Sequence, residues 1–522
     1  MLDRSLLLAS FRLLFLVWLF WVPLPFGSVT EFARLPLVVP PLLLLAATLA
    51  VHGVTEGHRR AVRRSPLHRV WSAAGALFIL LVLLQVMPLP KWLVDTLSPS
   101  AHAIWSSAEA MHAMMPASAG EEFPRYYRLS VTPAKTLQHL LLIVGYFATF
   151  QLGFLLYRER RHRMVFCWGL MVAGCLQVFY GLRAWAEGTQ YGTHSIWGWH
   201  NARIFSRVTG TFVNPNHFAA WIALLIPLAL TLALLAVAEG WRGKGSAGGR
   251  VAHFVSHGLI RFALAALAAV MLLAGVLMSQ SRSVLIALVS GIGIAAAVYC
   301  VALLAASRRG RTRSSLRMAA IVVLIVELLI ALAAAFVIRR MGTEATIGRL
   351  MTIRDQRGIV AGRMIGYEAA IGVWKRFPLF GSGLGSFENV VLMEQSMEMN
   401  AIFDHAHNDY LEIAATTGAI GLLILLGGLA GGLLVLAWLL ARSFQGNAGE
   451  PESVGGRSAK SGRTEARLVI VGVLASLMVI ALHSLVDFDL FIPAIPATLA
   501  ALLGVCAAAA GSLRRPERKP GS

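Results

Sequence analysis

Twelve apolar runs, each long enough to cross a bilayer as a helix, leave this chain little choice of fold. A helical span needs roughly 20 predominantly apolar residues. Such runs lie at about 5–26, 34–53, 70–88, 136–156, 164–185, 217–238, 262–279, 284–305, 318–338, 410–441, 468–488 and 491–513. Of the 522 residues, 57% are hydrophobic and 14% charged, against about a quarter charged in soluble domains. The expected fold class is therefore all-α: a polytopic membrane protein with a large polar loop, 339–409, between helices nine and ten. The first run lacks a small-residue cleavage site, which marks it as a span rather than a removed leader. Two breaks are thin, Gln280-Ser281-Arg282-Ser283 and the stretch around Asp487-Phe488-Asp489.

The net charge of +20 is spread over short loops between apolar runs. That pattern sets membrane orientation and is not the clustered basic face of a nucleic-acid binder, so no nucleic-acid partner is expected. Lys and Arg favour one set of loops, 28 against 17. The richer set comprises 58–69, 158–163, 242–261, 308–317, 442–467 and both chain ends. The positive-inside rule places that set, with both termini, in the cytoplasm. The segments 27–33, 89–135, 186–216, 280–283, 339–409 and 489–490 then lie on the outer side of the membrane. Segment 89–135, with Trp92 and Trp105, reads as amphipathic pieces at the membrane interface. The four cysteines all fall within apolar runs, which offers neither a loop disulfide nor a thiolate metal cluster.

The polar motifs gather on the outer face. Arg207 to His217 enters span six and contains Asn214-Pro215-Asn216-His217. Arg282 opens span eight, where a cation must face water, protein or an anion. Its planar fork of donors fits phosphate oxygens, although a snorkelling interfacial Arg is the plainer reading. Over 362–376 the spacing predicts a helix with Arg363, Tyr367, Ala370 and Trp374 on one face. Pro378 ends it, and Gly381, Gly383 and Gly385 predict a tight loop of close backbone approach. That glycine pattern follows no strand and is weak as a nucleotide motif. His405-Ala406-His407-Asn408-Asp409-Tyr410 leads into span ten. A neutral imidazole there can take a proton from a sugar hydroxyl, and the residues alone do not choose between His405 and His407. His483 stands near Asp487 and Asp489. Those acids fit either a divalent-cation pair or counter-ions to the outer arginines; the expectation is no metal and no cofactor.

Taken together, these motifs resemble the O-antigen ligase/O-antigen polymerase family of polytopic membrane glycosyltransferases. The similarity runs from Gly210–His217 and Ser281-Arg282-Ser283 through Gly362-Arg363, Glu368, Trp374, Phe377–Gly385, His405–Leu411 and Gly418 to His483–Asp489, roughly residues 200–510. It implies a bacterial inner membrane, with glycan transferred from an undecaprenyl-pyrophosphate carrier on the periplasmic face. The acceptor is lipid A core in ligases, another lipid-linked unit in polymerases, or a protein in oligosaccharyltransferases. It also implies a metal-independent inverting reaction, with Arg282 and Arg363 at the pyrophosphate and, by motif match, His407 as the base. Arg207, Asn214, Asn216, His217, Tyr367, Trp374, His405, Asn408, Tyr410 and His483 are the expected substrate contacts, and Trp197 and Trp199 serve as sugar platforms or interface anchors. Membrane lipids and a chain-length regulator complete the expected partners.

The expected organisation is an N-terminal set of spans over 1–200, the ligase-like domain over 201–513 and a basic cytoplasmic tail over 514–522. A lipid-glycan flippase is the main competing class. It predicts charged residues deep in the spans along a polar central path, whereas here the polar groups crowd at one face. A scaffold or receptor leaves Arg282 and the paired histidines unexplained.

Overall fold

The computed structural model describes residues 4–52, 65–115, 123–191, 195–200, 207–240, 247–307, 357–394, 403–445 and 454–513. Within them eleven helices are long and apolar enough to cross a membrane. This is the all-α polytopic arrangement expected from the sequence. Hydrocarbon offers no partner for backbone N–H and C=O groups, so each apolar run closes its hydrogen bonds within itself.

The eleven spans are α1 (Arg4–Trp21), α2 (Glu31–His52), α3 (Pro66–Val86), α6 (Pro133–Leu156), α7 (Arg160–Tyr191), α8 (Pro215–Gly240), α10 (Leu259–Met278), α11 (Arg282–Ser307), α13 (Asp409–Gln445), α14 (Val454–His483) and α15 (Ala494–Leu513). Shorter helices α4 (Lys91–Leu97), α5 (Pro99–Ala113) and α9 (Ala247–His257), and the more polar helix α12 (Arg357–Arg376), lie between them. A two-residue hairpin pairs β1 (Ser195–Ile196) with β2 (Trp199–His200). Both thin breaks separate distinct helices, α10 from α11 and α14 from α15. The expected span over 318–338 lies outside the described residues.

Helices α8, α14 and α15 form the interior of the bundle. Small residues let backbones meet: a Cβ at Gly153 of α6 would overlap Ala501 of α15, and one at Gly504 would overlap Phe150 of α6. Such contacts are how helices associate where lipid tails are as apolar as leucine. At one end of the bundle the basic helix termini are tied down. Arg163 donates from Nε and Nη2 to the two oxygens of Glu465 at 2.8 and 2.6 Å, both side chains buried. Glu465→Ala is expected to destabilise the fold by roughly 3–5 kcal/mol, because it leaves an uncompensated buried guanidinium. A fall in the detergent-solubilised unfolding temperature, larger than that of the paired Arg163→Met/Glu465→Leu variant, checks this.

The opposite end, where the sequence motifs converge, carries a second core. Val94, Ala101, Tyr127 and Leu129 pack with Ala370 and Val373 of α12 and with Phe377 and Phe387. The sequence reading put 89–135 at the membrane interface; in the structure α4 and α5 add Val94 and Ala101 to this core while Trp92 and Met111 stay exposed. Leu89 and Tyr127 exchange backbone hydrogen bonds, closing this cap over the bundle. It orients α12, which begins five residues before the expected start.

The glycine-rich loop is structural. Gly381, Gly383 and Gly385 have φ of 70°, 109° and 79°, a region open to glycine at little cost. The loop wedges into a break of α13 at Gly418, where φ is 68°. Added Cβ atoms at Gly381 and Gly418 would overlap Thr416 and Leu379 respectively. Ser382 and Gly383 donate backbone N–H to Ala415 and Thr416, and Ala419 donates to Pro378. Gln85, buried on α3, donates to the carbonyls of Phe380 and Thr416 and accepts from Leu384 N–H. The loop thus fixes the entry of α13, immediately after the histidines.

Candidate active site

A single buried carboxylate organises the site end. Asp487 sits in the turn after α14 with its side chain 1% exposed. Four residues from three other sequence segments meet on it. His407 Nδ1 donates to Oδ1 at 3.3 Å, and His217 Nε2 lies 3.5 Å from the same oxygen. Asn216 Nδ2 donates to Oδ2 at 3.2 Å, and Arg363 Nη2 stands 3.8 Å from Oδ2. Burial alone raises a carboxyl pKa. Here the contacts from His217 and His407, with the nearby His483, outweigh burial and hold Asp487 well below the ordinary range. The carboxylate is therefore charged, and it divides its surroundings: imidazoles on the Oδ1 side, the guanidinium and amide on the Oδ2 side.

Each ligand of this centre is placed by local structure. Asn214 caps α8 by accepting Asn216 N–H at 2.8 Å, and Pro215 follows in the first helical position. That cap brings Asn216 and His217 to Asp487. Arg207 donates from Nη2 to Asn216 Oδ1 and from Nε to the Ser279 carbonyl, both at 2.7 Å. Burial lowers the Arg207 pKa and Asp487 partly offsets this. Arg207 thereby links the α8 entrance to the α10–α11 hairpin. Arg363 and Tyr367 share one face of α12, as expected, and the Tyr367 hydroxyl donates to the His407 carbonyl at 3.2 Å. His407 holds φ at 52°, an unusual conformation for a residue with a side chain.

Several expected substrate contacts are engaged elsewhere. Asn408 caps α13 by accepting Leu411 N–H and donates to the Leu485 carbonyl. Tyr410 donates to the Ala481 carbonyl at 2.7 Å. Trp374 bonds the Pro378 carbonyl at 3.2 Å, some three turns along α12 from Arg363. His405 donates to Glu412 at 2.9 Å and stacks on Phe488, ring centroids 4.2 Å apart. Burial disfavours its charged form, but Glu412 outweighs it and raises the pKa. Trp197 and Trp199 are exposed; Trp197 packs on Tyr180 and Trp199 edges Phe26.

His483 and Asp489 are fully buried. His483 Nδ1 donates to Asp489 Oδ2 at 2.6 Å, and its Nε2 lies 3.0 Å from the Ser283 hydroxyl. His483, one of the expected substrate contacts, is enclosed by protein. It ties the first turn of α11 to the end of α14, and Arg282, whose side chain is exposed, is the first residue of that turn. Asp487 and Asp489 thus turn to different partners. Ser283→Ala is expected to lower turnover about 10–100-fold by letting Arg282 shift, with Ser283→Thr retaining it. Turnover measured at saturating donor distinguishes this from a binding loss.

Sequence reasoning missed Asp487 as the hub. Its signal was present in His483-Ser484-Leu485-Val486-Asp487, an acid in a short turn that must face the outer arginines.

Residues 267–426 match the family model described as O-antigen ligase. A comparison with curated proteins finds no match.

Proposed function

From the premise that this chain belongs to the O-antigen ligase/polymerase family, through the domain at 267–426, we propose the following reaction. The protein moves glycan from an undecaprenyl-pyrophosphate carrier to an acceptor hydroxyl on the periplasmic face of the inner membrane, with polymerisation slightly favoured over ligation to lipid A core. The observation that carries the reading is the Asp487 centre, where a charged carboxylate holds an imidazole on one oxygen and faces an arginine on the other.

Each group has a role in that reaction. His407 keeps its Nδ1 proton in a hydrogen bond to Asp487, so Nε2 is the basic nitrogen. Nε2 takes the proton of the acceptor hydroxyl while the hydroxyl oxygen bonds to the anomeric carbon. The bond from that carbon to the phosphate oxygen breaks, and its electron pair leaves on the pyrophosphate. Asp487 stabilises the imidazolium that forms, as carboxylates do behind catalytic histidines. Arg363 and Arg282 stabilise charge on the leaving pyrophosphate, with Arg207 holding Asn216 in place. The oxygens of Asp487 are already engaged by protein donors, so the reading expects no divalent cation there.

A deletion strain tests it. Lipopolysaccharide, secreted polymer and glycoproteins from the strain are compared side by side. Cores bearing a single repeat unit mark an O-antigen polymerase. Cores without any chain mark a ligase. Loss of secreted polymer alone marks an exopolysaccharide polymerase, and loss of protein glycans alone marks an oligosaccharyltransferase. No change in any glycan sinks the proposal.

A further inference from the structure

Beside the Asp487 centre lies a cavity of about 560 Å³, within the size range of roughly 300–1,000 Å³ typical of ligand sites. It opens between the start of α6, the α2 entrance and the turn before α15. Phe488 is its partition. One face of the ring stacks on His405, and its edges meet His217 at 4.6 Å and His407 at 5.0 Å between centroids. His217 and His405 line the cavity, and His407 stands beyond Phe488.

The chemistry of the walls selects a ligand class. Phe212, Phe387 and Phe491 offer aromatic faces, and between them stand Arg34 and Gln138, joined at 2.6 Å. The cations Arg34 and Lys135 are matched by the carboxylates of Glu388, Asp404 and Glu412. A pyrophosphate gains nothing from such a balance, and a polyprenyl tail is excluded by so many polar groups. Aromatic faces interleaved with planar donors and acceptors suit a polyhydroxylated ring, which has both apolar C–H faces and hydroxyl edges. His217, about 5% exposed, joins the two spaces: its Nε2 lies 3.5 Å from Asp487 Oδ1, and the residue lines the cavity. The cavity therefore joins the centre from the imidazole side, opposite Arg363.

We propose that this cavity seats the terminal saccharide of the acceptor, and that His217 orients one of its hydroxyls toward the Asp487 centre. The inference rests on the glycan-transfer reading above and adds where the acceptor enters. The saccharide has two sources, a lipid A core or a second lipid-linked chain.

The test uses full-length protein in nanodiscs with a labelled lipid-linked glycan donor. One arm supplies lipooligosaccharide lacking its distal chain, the other a lipid-linked single repeat unit. Val213→Trp and Val29→Trp fill the cavity from two walls; both valines line it and are exposed, 45% and 39%. In the active arm each variant is expected to raise the acceptor KM about 10-fold or more, because the added indole occupies space the saccharide needs, and tenfold corresponds to about 1.4 kcal/mol of binding. Photo-crosslinking to undecaprenyl pyrophosphate is expected to stay at the wild-type level, which also reports an intact fold. An unchanged acceptor KM in both variants overturns the assignment, as does a parallel fall in donor crosslinking. Transfer to a protein hydroxyl alone, with neither saccharide arm active, overturns it too. The wild-type protein run alongside separates the two readings: if it transfers glycan to no acceptor at all, the glycan-transfer reading itself fails.

Discussion

Asp487→Asn is expected to reduce glycan transfer by about 10³–10⁴-fold while leaving insertion and folding intact. The amide keeps the shape of the side chain and can still bond Asn216 and His407. It cannot balance a positive imidazole, and it offers His407 Nδ1 either an oxygen or an NH₂ group. In the second orientation Nδ1 must accept, the proton moves to Nε2, and the base is lost. The analogous loss in a serine-protease triad is about 10⁴-fold. Because Asp487 and His407 act as one unit, the double variant Asp487→Asn/His407→Ala is expected to be little worse than either single variant. Asp487→Glu is expected to fail similarly, because the added methylene has no room in a fully enclosed turn. Turnover by reconstituted protein at saturating donor decides the matter. Near-wild-type turnover in Asp487→Asn removes the dyad from the mechanism and returns Asp487 to a structural counter-ion.

Much of this fold was legible because the bilayer permits so few solutions. A run of apolar residues must close its own backbone bonds, so span after span follows from composition, and even the four-residue break at 280–283 separates two helices. The convergence of Arg207, Asn216, His217, Arg363 and His407 at one end follows from the same alternation. What escaped was the hub. Asp487 has meaning only beside residues 216–217, 363 and 407, and nothing in its own neighbourhood states which of these it meets. Motif density also fails to separate ligands from fasteners. Asn214 and Asn408 stand in the richest polar motifs, yet both cap helices, and Tyr410 ties α13 to α14. In the sequence His483 stands near both Asp487 and Asp489; its two ring nitrogens meet Ser283 and Asp489. The glycines were legible as a close approach, but not as one made to the break at Gly418, some 35 residues later, with Gln85 bridging both.

Arg363→Ala is expected to lower transfer about 10²–10³-fold, the usual range for removing a fixed group that stabilises developing charge. The geometry adds a second effect. Arg363 is 30% exposed and stands 3.8 Å from Asp487 Oδ2, so its guanidinium lies at the carboxylate on one side and opens to the site on the other. Without it the leaving pyrophosphate meets an anion that has lost its nearest guanidinium. The donor KM is therefore expected to rise together with the fall in turnover. Adding Asp487→Asn to Arg363→Ala removes that repulsion and is expected to bring the donor KM part of the way back, while turnover stays low because the base is also impaired. Arg363→Lys separates charge from shape. Its ammonium still screens Asp487, so the donor KM is expected to stay near wild type, but a point charge cannot hold two phosphate oxygens as a planar fork does, and turnover is expected to lie between the wild type and Arg363→Ala. Full activity in Arg363→Ala, or a donor KM in the double variant no lower than in the single one, sinks the view that Arg363 both neutralises Asp487 and receives the leaving group.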